Sequence, residues 1–366
     1  MLDSGIILNI FTGGVFLTTT KELLFSLCNS TGVAGFEFQQ TAEIVKSAFK
    51  EYCDEVWTDT LGNVIGHKKG KGKYSLLLAA HMDEIGLMVS GYEKGGFLRF
   101  EEIGGYDQRS LVAQEVFVHG KEEVYGIIGV KPPHITTAEE AKNAHKVEDM
   151  AIDTGLCDEK LKELVRIGDV VTIKRNMIDL KGDTVAGKAL DDRAGVAILY
   201  QCMKDLKNTE CDIDVYYVAS VQEELGFQGA YTAAYTIKPD IAIALDVCHA
   251  ISPDVSEPKG KTLGAGPVIS RGLNVHPRVY ESLIKTAKDH YIAHQRSVEP
   301  TMSGTDAVAM QITGCGAATG VVSFPLKYMH TSVEVMRMKD IMLTAKLISS
   351  YVLDLSAIDV EELLCL

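Results

Sequence analysis

Ile213-Asp214-Val215-Tyr216-Tyr217-Val218-Ala219-Ser220 runs into Val221-Gln222-Glu223-Glu224-Leu225-Gly226, a mostly apolar stretch that ends in two adjacent glutamates. The run from Ile213 to Ser220 has the length and the β-branched and aromatic content of a buried strand. Glu223 and Glu224 then fall at its carboxyl end, where an open α/β sheet presents its ligand crevice, and Gly226 closes the turn. Adjacent carboxylates repel, so positive charge is expected beside them. Taken alone, such a pair reads as a solvated turn. The rest of the chain changes that reading. His81 and Asp83 follow the apolar run Tyr74 to Ala80, and Asp191-Asp192 precede a helix pattern. Asp246 follows the run Ile241 to Leu245, and His330 follows Ala318 to Phe324. Parallel strands bring such ends to one edge of one sheet.

Histidines with carboxylates are the donor set of divalent cations. The expected sharing gives His81 and Asp246 to one ion, Glu224 and His330 to a second, and Asp191 to both. Three carboxylates leave one net positive charge on two divalent ions, so a water held there gives up its proton readily. Successive side chains in extended backbone point opposite ways, which leaves Glu223 free to act as a base beside the ligand Glu224. Asp83, two residues past His81, is expected on the same face, where it accepts the second imidazole proton. Asp192 reads as a helix N-terminal charge. Thr305 and Asp306 either position substrate or cap the helix that follows them. His134 and His249 are further cleft candidates. His67, His119, His145, His276, His290 and His294 stand in polar surroundings and read as surface groups.

Outward from this edge the chain reads as α/β in two halves, residues 19–86 and 179–366. Thr18-Thr19-Thr20 open a helix over Lys21 to Cys28, Gln40 to Cys53 is amphipathic, and Val56 to Ile65 reads as a hairpin around Leu61-Gly62-Asn63. After Ala189-Leu190-Asp191-Asp192-Arg193, apolar residues recur at helical spacing through Leu206; later helices begin near Gly229, at Pro277 and at Met336. Between the halves the pattern changes to short alternating runs, Phe97 to Phe100, Glu115 to Val118 and Val124 to Val130, separated by glycines. Residues 87–178 therefore read as a small β-barrel inserted into the α/β domain, interrupted by a polar segment over 139–149. A short-stranded insert of this kind buries its faces more easily against another subunit.

An apolar share of 46% and a charged share of 23% belong to an ordinary folded protein, and a net charge of −14 argues against a nucleic-acid surface. The eight cysteines are scattered without a Cys-x-x-Cys pair, which suits packing residues in a reducing compartment. Residues 1–18 form an N-terminal extension whose apolar run, Gly5 to Leu17, has no basic leader and is shorter than the ~20 residues a membrane helix needs. A cytoplasmic protein with no membrane partner is expected.

The motif series His81-Met82-Asp83-Glu84-Ile85-Gly86, Ala189-Leu190-Asp191-Asp192-Arg193, Gln222-Glu223-Glu224-Leu225-Gly226, Leu245-Asp246-Val247 and His330-Thr331 resembles that of the glutamyl and deblocking aminopeptidases. That family includes the tetrahedral, self-compartmentalising aminopeptidases. Gly104-Gly105-Tyr106-Asp107, Lys131-Pro132-Pro133-His134, Gly264-Ala265-Gly266-Pro267 and Ser303-Gly304-Thr305-Asp306 are similar to further family landmarks, so the resemblance runs from about Thr19 to the last helix. It implies a mixed-sheet α/β/α metallopeptidase domain with the inserted barrel as dimerisation domain. It implies hydrolysis of peptides from a free N-terminus, with two divalent ions per subunit, zinc or alternatively cobalt or manganese. It implies Glu223 as general base, His81, Asp191, Glu224, Asp246 and His330 as metal ligands, Asp83 behind His81, and dimers that assemble into a hollow dodecamer. Ser332 departs from the family's usual proline and Tyr106 from its tryptophan, at positions outside the ligand set. A deacylase or carboxypeptidase would use the same two-metal chemistry. A glycosidase would leave the histidines without a role, and a silent shell protein would not need the base.

Overall fold

A computed structural model describes residues 19–137, 142–253, 255–355 and 360–364. The expected N-terminal extension and its apolar run lie outside the described residues, as do Cys365 and part of the polar interruption over 139–149. The chain enters through α1 (Thr20–Asn29), where Thr19 and Glu22 satisfy each other's amide N–H in a capping box. Next come α2 (Thr41–Lys50), the hairpin β1 (Glu55–Thr58) and β2 (Val64–Lys68), and β3 (Ser75–His81). Asp59 fixes the hairpin turn by accepting from the amides of Leu61, Gly62 and Asn63.

Six strands then close a barrel: β4 (Gly86–Glu93), β5 (Phe97–Ile103), β6 (Glu115–His119), β7 (Glu123–Gly129), β8 (Ala151–Asp153) and β9 (Val170–Ile173). They pair antiparallel in the order β4-β5-β8-β7-β6-β9, with α3 (Asp158–Leu164) between β8 and β9. Leu87, Leu98, Val116, Ile152 and Val171 fill a core of its own. Along β7 every second residue is buried, so Val124 and Ile128 point in while Tyr125 and Ile127 point out.

The α/β chain resumes with β10 (Ile178–Leu180), β11 (Thr184–Gly187), α4 (Leu190–Leu206), β12 (Asp214–Ser220), α5 (Gln228–Ile237) and β13 (Ile241–His249). It continues through β14 (Val268–Gly272), α6 (Pro277–Asp289), β15 (Gln295–Glu299), α7 (Ala307–Ile312) and β16 (Ala318–Leu326). β17 (Glu334–Arg337), α8 (Met338–Leu355) and α9 (Val360–Leu364) complete it. Eight strands form a mixed sheet, β1-β2-β12-β3-β13-β16-β14-β15, whose central four are parallel. β3 shows why they read as unbroken apolar runs: Leu76, Leu78 and Ala80 pack under α1, α2, α4 and α8, and Leu77 and Ala79 pack under α5 and α7. Register sets Ser220 beside His81 and Asp246 beside Ser323, so the carboxyl ends share one edge.

Several sequence expectations change. Asp246 lies inside its strand, because β13 stays paired with β16 to His249 while β3 leaves it after Ala244. Ala318 to Phe324 is not the last strand: β17 pairs with β11, which takes Met336 into a strand and starts the final helix at Met338. His67 is no surface group. β2 lies between β1 and β12, and the buried imidazole stacks on Tyr216 with centroids 4.3 Å apart.

Arg193, fully buried, ties the N-terminal helix to this edge by donating to the carbonyls of Leu27, Ser30, Gly32 and Met82 and to Glu84. Lys188 holds the other oxygen of Glu84. Burial pushes the Glu84 carboxyl up, but Arg193 and Lys188 outweigh it and leave it below its ordinary range. Arg193→Met strands part of that charge and four carbonyls, and should cost about 3–5 kcal/mol, as breaking a buried pair does. Urea unfolding should show a lower midpoint at unchanged slope; an unshifted midpoint contradicts the anchoring role.

Candidate metal centre

β3 ends on His81, whose Nε2 lies 3.2 Å from Asp191 Oδ1. The other Asp191 oxygen, Oδ2, lies 3.4 Å from His330 Nε2, which is itself 3.3 Å from Glu224 Oε1. One carboxylate thus stands between two imidazoles with an oxygen toward each. His330 Nδ1 faces the carbonyl of Gly105 at 2.8 Å, so the loop after barrel strand β5 orients this ring. Donor atoms of Asp191, Glu224 and His330 fall within 4.8 Å of one another; so do those of His81, Asp192 and Asp246, and those of His81, Glu223 and Glu224.

Irregular backbone delivers these groups. Ala189 is left-handed (φ 56), and Asp191 and Asp192, joined by a cis peptide, have non-helical angles at the head of α4. Asp192 stands in the first turn of α4, as a helix N-terminal charge does, but it does not face solvent. It is buried and folds back so that Oδ2 accepts from the His81 amide at 3.2 Å. Gly195 makes room for it, since a Cβ there would stand 2.5 Å from Asp192 Oδ2 and 2.8 Å from Ala80 Cβ.

Glu223 and Glu224 are not in extended backbone either. Gln222 turns left-handed (φ 55, ψ 34) and Glu223–Leu225 make one 3₁₀ turn, in which neighbouring side chains diverge by about 120°. That still separates the two glutamates. Three consecutive amides of the turn are taken by buried carboxylates: Gln222 by Glu37 at 3.0 Å, and Glu223 and Glu224 by the two oxygens of Asp83 at 3.2 Å each. Asp83 also sits 3.4 Å from His81 Nδ1, although not aligned for a hydrogen bond. It braces the glutamate turn as well as facing the histidine.

Thr305 and Asp306 divide the two roles expected for them. Asp306 does not cap α7 with its side chain; it is buried, accepts from Ser220 Oγ, and is close enough to Glu223 to raise that carboxyl. Thr305 Oγ1 lies 3.4 Å from the Ala307 amide and 2.9 Å from Ser303 Oγ. His134 and His249 are exposed and join none of the donor groups. Glu37 and Glu334, which brace the backbone of Gln222, Asp191 and His330, had no local signal in the sequence beyond Glu334 following His330 by four residues.

The electrostatics call for cations. Burial raises Glu223 to about 10; His81 opposes this, and Asp246, Asp306 and Glu224 add to it. Burial pushes Asp192 and Asp246 well above their ordinary values; Asp246 and Asp191 add to the rise of Asp192, and Asp191 and Asp306 to that of Asp246. Burial would raise Asp191 too, but His330 and His81 outweigh it and hold it low. His330 is held up to about 11 by Asp191 and Glu224 against burial. Asp192 Oδ1 and Asp306 Oδ1 have no hydrogen-bond partner among the described residues. Crowded buried carboxylates with orphaned oxygens fit divalent cations.

This donor set, at the carboxyl edge of a mixed sheet that carries an inserted barrel, could hold divalent cations, and the comparisons with known proteins give the class as a peptidase. The chain belongs to the M42 glutamyl aminopeptidase family, whose sequence model matches residues 62–347. It is 38% identical over 347 residues to a lysyl aminopeptidase of Pyrococcus furiosus, covering 92% of this chain and 98% of that protein. Among solved structures it is similar to a TET aminopeptidase from a marine-sediment Thaumarchaeota archaeon: TM-score 0.89, 32% identity, 94% of this chain and 98% of the other. The TET1 peptidase of Pyrococcus horikoshii, described as assembling into a tetrahedron or a large octahedral shell, matches with TM-score 0.81 and 32% identity, over 92% of this chain and 100% of its own.

Proposed function

We propose that this aminopeptidase works with two divalent cations and a glutamate base, removing residues from the free amino end of peptides. The observation that carries the reading is Asp191, buried between His81 and His330 with one oxygen toward each. His81 and Asp246 would hold one ion, Glu224 and His330 the other, and Asp191 both. Zinc suits this donor set, with cobalt or manganese as replacements. Bound there, the ions supply Lewis acidity to a water and to the scissile carbonyl. Glu223 takes the water's proton and returns it to the leaving amine. Asp83 keeps His81 and the Glu223–Glu224 turn in place, and Asp306, with Thr305 beside it, positions substrate next to the base. A panel of aminoacyl-anilides assayed after chelation and after return of zinc, cobalt or manganese tests this. Activity should vanish and come back with metal. Cleavage confined to N-acylated or carboxyl-terminal substrates would replace the reading with a deacylase or carboxypeptidase, and sugar release with a glycosidase.

The barrel is assigned to subunit contact, in dimers that build toward a dodecamer like that of PhTET1-12s. Tyr125 and Ile127 are exposed on its outer face, and Phe117 pairs across from Tyr125. Light scattering should give a multiple of the 39.8 kDa chain mass, and Ile127→Glu should shift it toward smaller species. A monomer for the unaltered chain at micromolar concentration would end this proposal. A cytoplasmic site suits the unpaired cysteines, and no helix among the described residues is long and apolar enough to cross a membrane.

A further inference from the structure

We propose that Glu334 is a positioning residue that locks the two halves of the metal centre into one frame. This rests on the two-metal reading above. Glu334 opens β17, where its register opposite Gly187 of β11 points it at the irregular head of α4. It is 2% exposed, and it spends one carboxylate oxygen on each side of the centre. Oε2 accepts from the Asp191 amide at 3.1 Å, and Oε1 accepts from the His330 amide at 3.0 Å. Asp191 is the residue assigned to both ions and His330 belongs to one of them. The two are far apart in the chain, and this side chain is a direct hydrogen-bonded link between their backbones.

Both backbones need holding. His330 has φ +60, a left-handed conformation that a non-glycine residue keeps only where its surroundings over-determine it. Asp191 follows the left-handed Ala189 and is itself non-helical inside α4. Loosening either amide lets the imidazole or the shared carboxylate rotate away from the geometry that a cation requires. Glu334 itself joins none of the donor groups, so it acts through the two ligands and not on the ion.

Chemistry separates this role from simple space filling. A carboxylate offers an acceptor to each amide, whereas a glutamine of the same size offers one carbonyl oxygen and turns its NH₂ toward the other N–H. Glu334→Gln, Glu334→Ala and the unaltered protein should be stripped and titrated with cobalt, followed by visible absorption and by equilibrium metal analysis. Thermal midpoints of the metal-free proteins should be read alongside. Losing such an outer partner typically costs ~10–100-fold in metal affinity. The position served by His330 should therefore weaken at least ~10-fold in both variants, more than the position served by His81, with an altered cobalt spectrum.

A Glu334→Gln protein that titrates like the unaltered one overturns the proposal. So does an equal loss at both positions that simply follows a lowered midpoint. If Glu334→Ala does not fold, the isosteric Glu334→Gln decides. If the unaltered protein binds fewer than two equivalents, the two-metal reading itself fails, and that result is distinct from a normal Glu334→Gln.

Discussion

Glu223→Gln should lower turnover at least ~100-fold while metal content and KM stay near those of the unaltered enzyme. The substitution keeps size and hydrogen bonding but removes the ability to accept a proton, and general acid–base groups typically contribute ~10²–10⁴-fold. The 3₁₀ turn makes the test specific, because its backbone is held by Glu37 and Asp83 and not by the Glu223 side chain. Glu224→Gln, one residue on, should fail differently. Its carboxylate lies 3.3 Å from His330 Nε2 and belongs to the donor group with Asp191, so neutralising it lowers metal affinity. Excess zinc should partly restore that variant by mass action and should leave Glu223→Gln as slow as before. Rescue of Glu223→Gln with a dead Glu224→Gln would reverse the two roles. Unchanged turnover in both would remove the site assignment altogether.

How much of this was legible in the sequence depends on how each group is held. His81, Asp83, Glu223, Glu224 and His330 follow apolar strands, and a buried parallel strand announces itself as a continuous run that points to its own carboxyl end. The barrel was legible for a related reason, since strands such as Glu123–Gly129 alternate strictly between inside and outside. β15, by contrast, is Gln-Arg-Ser-Val-Glu at the sheet edge, and β17 is a four-residue strand defined by its pairing with β11. Neither carries a local pattern. Asp192 and Asp306 could each be read two ways, because aspartate before a helix is what a cap or an N-terminal charge also looks like. Only the fold-back made possible by Gly195, or the hydroxyl of Ser220, shows which way the side chain turns. Glu37 and Glu334 were invisible because they act on backbone amides, which every sequence contains.

Asp191→Ala should lose both ions, where His330→Ala should mainly weaken one. Asp191 is the one proposed ligand whose two oxygens face different histidines, at 3.2 Å and 3.4 Å, and no other described carboxylate near the centre reaches both rings in that way. Without it each position keeps an imidazole and a single assigned carboxylate, and the two positions lose their shared charge. Elemental analysis of the purified variant should find well under one equivalent, with peptidase activity gone and little regained on adding zinc. Two full equivalents would contradict the bridging assignment. The metal-free proteins supply a control that does not depend on loading. His330 is held up to about 11 in the fold, first by its hydrogen bond to Asp191 and then by Glu224, against an ordinary value of about 6.5. A group raised in this direction stabilises the fold fully below its unfolded value and loses that contribution as pH climbs toward the folded one. Unfolding midpoints of the metal-free protein should therefore fall between about pH 6.5 and about pH 11 through this group, and Asp191→Ala should flatten the fall. If the variant keeps the full slope, Asp191 is not what holds His330 protonated, and the imidazole–carboxylate–imidazole arrangement on which the two-metal reading stands is not present in solution.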